Sequence, residues 1–291
     1  MRVLLIGGSG YLGTVLAEHL STLGHEVVVL TRPAKANTET PYERRVGDLT
    51  DPASLTAAVT PDIDAVINLG QPSGDEAVDR AAIDALTAPL RGTDRAFLYT
   101  SGVWVLGATG DTTADEATPT NPIPIVGYRP AIESHVLATA QDGVRATVVR
   151  PGVVHGRGGG IPAMLVDLAR RQGAPVAVAD LSVRWPMIHV DDLATLFAMV
   201  VENAPAGTLW HGVTQPAVSV RDLSVAAGQA AGVSGEPQVW PLEDARAELG
   251  ALFADALALD QSVSGDAVRD RLGWQPSNTD AVADLAAGSY R

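Results

Sequence analysis

The sequence predicts an α/β fold built on a doubly wound parallel sheet, and three observations carry that expectation. Short β-branched runs alternate with Ala- and Leu-rich segments of helical period. A glycine cluster stands directly between the first such run and the first helix. Of the 291 residues, 46% are hydrophobic and only 19% charged, so a large core can be buried.

The elements follow in order. The first half reads as strand Val3 to Ile6, helix Tyr11 to Leu23, strand Glu26 to Thr31, a polar loop, strand Arg44 to Val46 and helix Pro52 to Ala58. Strand Ala65 to Leu69, helix Asp75 to Leu86, strand Ala96 to Thr100, a helix between Tyr128 and Ala140, and strand Arg145 to Arg150 come next. Six strands with crossover helices make a parallel sheet of the Rossmann kind. After Arg150 the pattern loosens into a glycine cluster (Gly156, Gly158, Gly159, Gly160), a helix over Pro162 to Arg171, and short strands among prolines. This half is expected to be a smaller substrate domain, residues 157–291, without an autonomous core. Residues 1–156 form the nucleotide domain, with a segment near 184–203 returning to it. The cleft between the two is the expected binding site.

Composition excludes several classes of function. The 34 Asp and Glu against 20 Lys and Arg leave a net charge of -14, which repels a phosphate backbone, so no nucleic-acid partner is expected. There is no cysteine, hence no disulfide, no thiolate nucleophile and no Cys-ligated metal. Six histidines without close pairing and no HExxH suggest no metal site of any kind. The first apolar run is too short for a signal or membrane segment, and a cytoplasmic protein without a membrane partner is expected.

The most informative motif is Gly7-Gly8-Ser9-Gly10-Tyr11-Leu12-Gly13, which follows the first strand and opens the first helix. Gly7 permits a tight turn, Gly10 lets backbone approach a pyrophosphate, and Gly13 allows close packing of helix on sheet. The helix N-terminus then aims unpaired N–H groups and a positive dipole end at the phosphates. The residue after the second strand selects the nucleotide. An NAD site wants a carboxylate there, whereas this chain has Thr31-Arg32, suited to the dianionic phosphate of NADP(H). Lys35, Arg44 and Arg45 could reinforce the positive spot. Asp48, after the third strand, could accept from the adenine amino group or cap the following helix.

The chain resembles atypical or extended short-chain dehydrogenases/reductases of the NAD-dependent epimerase/dehydratase type. The motifs occur in family order along nearly its whole length: GGSGYLG at Gly7, GDL at Gly47, VINLG ending at Gly70, YTSGVWVLG at Tyr99, RPGVVHG at Arg150, HVDDLA at His189 and LGWQP at Leu272. The resemblance implies a cofactor on Gly7, Gly10, Tyr11, Leu12, Gly13, Thr31, Arg32, Asp48, Leu49, Leu69, Gly70, Thr100, Arg129, Pro151 and Val153. It also implies a small-molecule substrate and a possible homodimer. Family members catalyse with Ser or Thr, Tyr and Lys, but the single lysine here is Lys35, far from that position.

Two registers are open for the missing Tyr-x-x-x-Lys helix. If Glu133 takes the family's helix glutamate, Ile125 stands at the tyrosine position and Arg129 at the lysine position. If Tyr128 is the tyrosine, Ile132 replaces the lysine. Candidate catalytic groups are Tyr128 as proton donor, Ser101 as a hydrogen-bonding partner of a substrate oxygen, Arg129 as a fixed cation, and His155, whose imidazole titrates near neutrality. Each has a bland counterpart: a half-buried tyrosine, a strand end, a surface Arg129–Glu133 pair, a loop histidine. Trp104, Trp185 and Trp210 could line an aromatic pocket, and Asp191 or Asp192 could cap the helix through Met199. The expected activity is an NADP(H)-dependent oxidoreductase acting on a small carbonyl, hydroxyl or imine compound. The alternatives are an epimerase, a non-redox isomerase, cyclase or lyase, and an NADP-sensing regulator.

Overall fold

A computed structural model describes residues 1–35 and 40–291, apart from the side chain of Lys35. The chain divides into two compact units of similar size. The first comprises Met1–Ser101, Tyr128–Arg150 and Ala194–Trp210; the second comprises Gly102–Gly127, Pro151–Leu193 and His211–Arg291. The chain therefore crosses more often than one boundary at residue 156 implies. Residues 102–127 group with the second unit, and the returning segment begins at Ala194.

The first unit opens with β1 (Arg2–Ile6), α1 (Tyr11–Thr22), β2 (Glu26–Thr31), β3 (Glu43–Val46), α2 (Pro52–Ala58), β4 (Ala65–Asn68), α3 (Glu76–Thr87) and β5 (Ala96–Thr100). It continues with α4 (Arg129–Ala138) and β6 (Arg145–Pro151). The second unit's β7 (Val153–His155), α5 (Gly160–Gln172), β8 (Val176–Val178) and β9 (Arg184–His189) follow. Then α6 (Val190–Asn203) and β10 (Thr208–Gly212) lead back through the first unit. The remainder is β11 (Gln215–Ser219), α7 (Val220–Ala231), β12 (Gln238–Trp240), α8 (Leu242–Leu249), α9 (Ala251–Leu257), α10 (Asp266–Leu272) and α11 (Ala281–Ala287).

Seven strands form the main sheet in the order β10-β6-β5-β4-β1-β2-β3, one more than the sequence pattern revealed. β1 pairs in parallel with both β2 and β4, so the strand order reverses across β1. A crevice opens at the carboxyl ends of strands flanking such a reversal. Val3, Leu4, Leu5, Val66 and Ile67 are fully buried, as a sheet covered on both faces requires. The β3 edge is four residues long and carries Glu43, Arg44 and Arg45, which discourages pairing with another chain.

The second unit has its own core, contrary to the expectation from its loose pattern. Leu165, Leu168, Trp185, Met187, Leu223, Leu257 and Leu285 pack in one cluster drawn from α5, β9, α7, α9 and α11. Its strands are three to six residues long, too short to show periodicity, while the helices supply most of the apolar surface. Asp191 and Asp192 lie inside the first turn of α6, and neither caps it. Asp192 is buried and accepts instead from Ser277 and Asn278. No helix among the described residues is long and apolar enough to cross a membrane.

Candidate functional site

The turn between β1 and α1 is built by backbone that tolerates no side chain. Gly7 has a φ of +81°, and a Cβ there would stand 2.9 Å from the Leu69 carbonyl oxygen. A Cβ on Gly13 would meet the Gly7 carbonyl oxygen at 2.2 Å, so α1 can sit against the turn only with glycine at that position. Gly10 caps α1 without a side-chain hydrogen bond, and no acidic residue occupies the first turn. The helix start is thus left to an external anion.

A cavity of about 500 Å³ opens over this turn, at the carboxyl ends of β1, β2 and β4. Gly7, Ser9, Gly10, Arg32, Asp48, Leu49, Thr50, Leu69, Gly70, Gln71, Pro72 and Ser73 are among its lining residues. A glycine cradle and a helix start without a side-chain cap fit a dinucleotide phosphate chain, and the arginine fits a phosphate on its ribose. Arg32 and Asp48 share one end. Asp48 accepts from the amide and hydroxyl of Thr50, which with the nearby Arg32 keep its carboxyl below the usual range and therefore ionised.

Of the other residues expected at this end, Thr31 is buried and donates its hydroxyl to the Arg45 carbonyl, inside the sheet. Arg45 is engaged elsewhere, with Glu43, Asp62, Thr60 and the Ala58 carbonyl, and so does not extend the positive spot. The Lys35 side chain lies outside the described residues. Tyr11, Leu12 and Gly13 form the first turn of α1 and are not among the residues that line the cavity.

At the end of β5, three buried polar atoms have no hydrogen-bond partner: Thr100 Oγ1, Ser101 Oγ and Arg129 Nε. Arg129 donates through one terminal nitrogen to the Thr100 carbonyl (2.5 Å) and the Tyr99 hydroxyl (3.2 Å), and its guanidinium stands over the Tyr99 ring. It makes no bond to Glu133, whose carboxylate takes a forked ion pair from Arg150. Ile132 is fully buried in the core, and Ile125 belongs to the second unit. The fixed cation at the strand end is thus Arg129.

Tyr128 precedes α4, and its hydroxyl donates to Asp79 Oδ2 at 2.6 Å while accepting from the Gly74 amide at 3.1 Å. Burial, and then the Asp79 carboxylate, push its pKa up to about 12. The proton offered by the sequence as a catalytic donor is therefore committed to a neighbouring carboxylate. A tyrosine beside a lysine would behave in the opposite way.

Pro151, Val153 and His155 lie in the second unit. His155 is 1% exposed, and its Nδ1 bonds Asp284 Oδ2 at 3.0 Å. Burial lowers its pKa more than Asp284 raises it. His189 stands 5.0 Å away edge-to-face, with Nε2 4.0 Å from the same carboxylate oxygen. His155, His189 and Asp284 could together hold a metal ion. The Asp191 amide donates to His189 Nδ1, so with that bond in place the proton of a neutral ring sits on Nε2, which is then no metal ligand. Only the His155 ring hydrogen-bonds this carboxylate, His189 Nε2 lying beyond hydrogen-bond distance, and His155 Nε2 is buried without a partner among the described residues. Trp185 and Trp210 are core residues, 3% and 2% exposed, with indole N–H groups bonded to the Leu257 carbonyl and the Thr208 hydroxyl, and neither lines the cavity over the glycine turn.

Sequence reasoning missed Ser9, Thr50, Gln71, Pro72 and Ser73 in the cavity wall. The last three lie in the loop after β4, just past Leu69 and Gly70, and position after a strand flanking the switch point is the signal that could have found them.

Residues 3–210 match the NAD dependent epimerase/dehydratase family. An uncharacterized protein of Schizosaccharomyces pombe is 30% identical over all of this chain and all of its own length. The 2'-dehydrokanamycin reductase of Streptomyces kanamyceticus is 31% identical over 86% of this chain and 72% of its own. Among solved structures, human epimerase family protein SDR39U1 with NADPH superposes with a TM-score of 0.78, covering 99% of each chain at 24% identity.

Proposed function

Because the chain belongs to the NAD-dependent epimerase/dehydratase family, we propose that it is an NADP(H)-dependent oxidoreductase acting on a small carbonyl, hydroxyl or imine compound. The observation that carries this reading is the cavity over the glycine turn, where Arg32 stands in the place a carboxylate would take in an NAD site. A guanidinium offers a forked set of donors to a 2'-phosphate, each charge-assisted bond contributing roughly 1.5–3 kcal/mol. The NADPH-bound human neighbour and the reductase relative agree with a reductive, phosphorylated cofactor.

NADPH, when bound, supplies the hydride. The chain's own residues bind and orient: Gly7, Ser9 and Gly10 leave room for the phosphates, Arg32 holds the ribose phosphate and Asp48 accepts at the adenine end. Arg129 keeps a permanent positive charge at the strand end, where it favours developing negative charge but exchanges no proton. Ser101, whose hydroxyl has no partner within the protein, is the group at this strand end suited to hydrogen-bond the substrate oxygen, and solvent water supplies the proton. The test is net NADPH oxidation, followed by absorbance, across a panel of small aldehydes, ketones and imines. Turnover with NADPH supports the reading. Substrate conversion without cofactor consumption assigns an epimerase or isomerase, and tight NADPH binding with no conversion assigns a sensor.

A further inference from the structure

The wall of the dinucleotide cavity formed by Gly70, Gln71, Pro72 and Ser73 is held from behind by two side chains that sequence separates widely. Asp79 is 8% exposed, and its two oxygens do different work. Oδ1 accepts from the Ser73 amide at 2.9 Å, and Oδ2 accepts from the Tyr128 hydroxyl at 2.6 Å. The Tyr128 oxygen in turn accepts from the next amide in the wall, that of Gly74, at 3.1 Å. Two consecutive backbone N–H groups are thus captured by one carboxylate–phenol pair. Gly74 has a φ of +90°, so the chain turns sharply where it is gripped.

The grip continues on the far side of that turn. The Ser73 hydroxyl accepts from the Asp75 amide, and Asp75 caps α3 through the amides of Ala77 and Val78. The wall is therefore anchored to α3 through Asp75 and Asp79, and to the start of α4 through Tyr128. The following residue on α4 is Arg129, bonded to the end of β5. One helix start fixes both the cavity wall and the cation at the strand end.

We propose that Tyr128 and Asp79 form a clamp that positions the 70–74 wall of the dinucleotide cavity, and that Tyr128 is a positioning residue for cofactor binding. This rests on the reading that the cavity takes NADP(H). A phenol suits the task because it both donates to the carboxylate and accepts from the amide, which phenylalanine cannot do. Its raised pKa keeps it protonated, and so a donor, throughout the neutral range.

The test is NADPH titration by calorimetry of the full chain, the variants Tyr128→Phe, Asp79→Ala and Asp79→Asn, and the Tyr128→Phe/Asp79→Ala double variant. Amide hydrogen exchange at Ser73 and Gly74 is followed in parallel. Tyr128→Phe and Asp79→Ala are each expected to weaken NADPH about tenfold and to speed exchange at both amides. Asp79→Asn, which retains an acceptor for the Ser73 amide, recovers part of the affinity. The double variant is expected to bind no more weakly than the weaker single one, because both remove one unit. Where substrate turnover is measurable, kcat at saturating NADPH stays within about twofold. Unchanged affinity in Tyr128→Phe and Asp79→Ala overturns the clamp, as does a fall in kcat with unchanged NADPH affinity, which assigns Tyr128 to proton transfer. A wild-type chain that takes up no NADPH overturns the proposed function as well; wild-type uptake with unaltered variants overturns the clamp alone.

Discussion

Arg150 and Glu133 form a forked ion pair inside the nucleotide unit, with Nε to Oε1 at 2.9 Å and a terminal nitrogen to Oε2 at 2.5 Å. Their side chains are 5% and 3% exposed, so neither charge has water to fall back on. The pair ties the middle of α4 to the end of β6. It leaves Arg129, one helical turn before Glu133, to the strand end.

Removing one partner of such a pair strands the other charge in a low-dielectric interior, at a cost of roughly 3–5 kcal/mol. Glu133→Ala is therefore expected to lower unfolding stability by about that amount. Denaturant titration checks it. A loss below about 1 kcal/mol shows that the pair is solvated in solution.

Arg32→Glu replaces the phosphate ligand with a repelling charge. It is expected to weaken NADPH by about a hundredfold, equivalent to roughly 2.7 kcal/mol, while NADH changes by no more than about threefold. Equal weakening of both, measured by calorimetry, removes the basis for phosphate selection.

Gly13→Ala tests the cradle. Its Cβ would stand 2.2 Å from the Gly7 carbonyl oxygen, so either α1 or the turn must shift. Dinucleotide affinity is expected to fall at least about tenfold, accompanied by a lower melting temperature. Wild-type affinity in this variant argues that the phosphates do not rest on this turn.

Stability should also fall in mild acid through His155. Burial holds its folded-state pKa below the ordinary value of 6.5, so the unfolded chain binds protons first as pH drops. The contribution is fully present above 6.5 and is lost as pH falls through the lower folded value. His155→Asn keeps a donor toward Asp284 and removes the titration. Its stability curve is expected to be flatter below pH 6.5 than that of the wild type, and superimposable slopes would show that His155 does not titrate on unfolding.

Much of this was legible in the sequence because the signals are local. β2 and α2 begin and end where their apolar runs and turn residues place them, and Gly7 to Gly13 state their backbone role within seven residues. What stayed hidden depends on pairing across distance. Asp79 carries no motif, and only folding brings it to a tyrosine forty-nine positions away. The commitment of Thr31 to the sheet and of Arg45 to the end of α2 and the loop after it, in place of the cofactor, is equally invisible, because a hydroxyl or guanidinium has the same sequence signature facing in or out. The second unit's core escaped notice because its strands are too short for alternation to register.

Cofactor selection is read most directly by calorimetric titration of the ligand-stripped protein with NADPH and, separately, NADH. One site per chain is expected, filled by NADPH at least about tenfold more tightly than by NADH. Absence of binding by both, or preference for NADH, would contradict it.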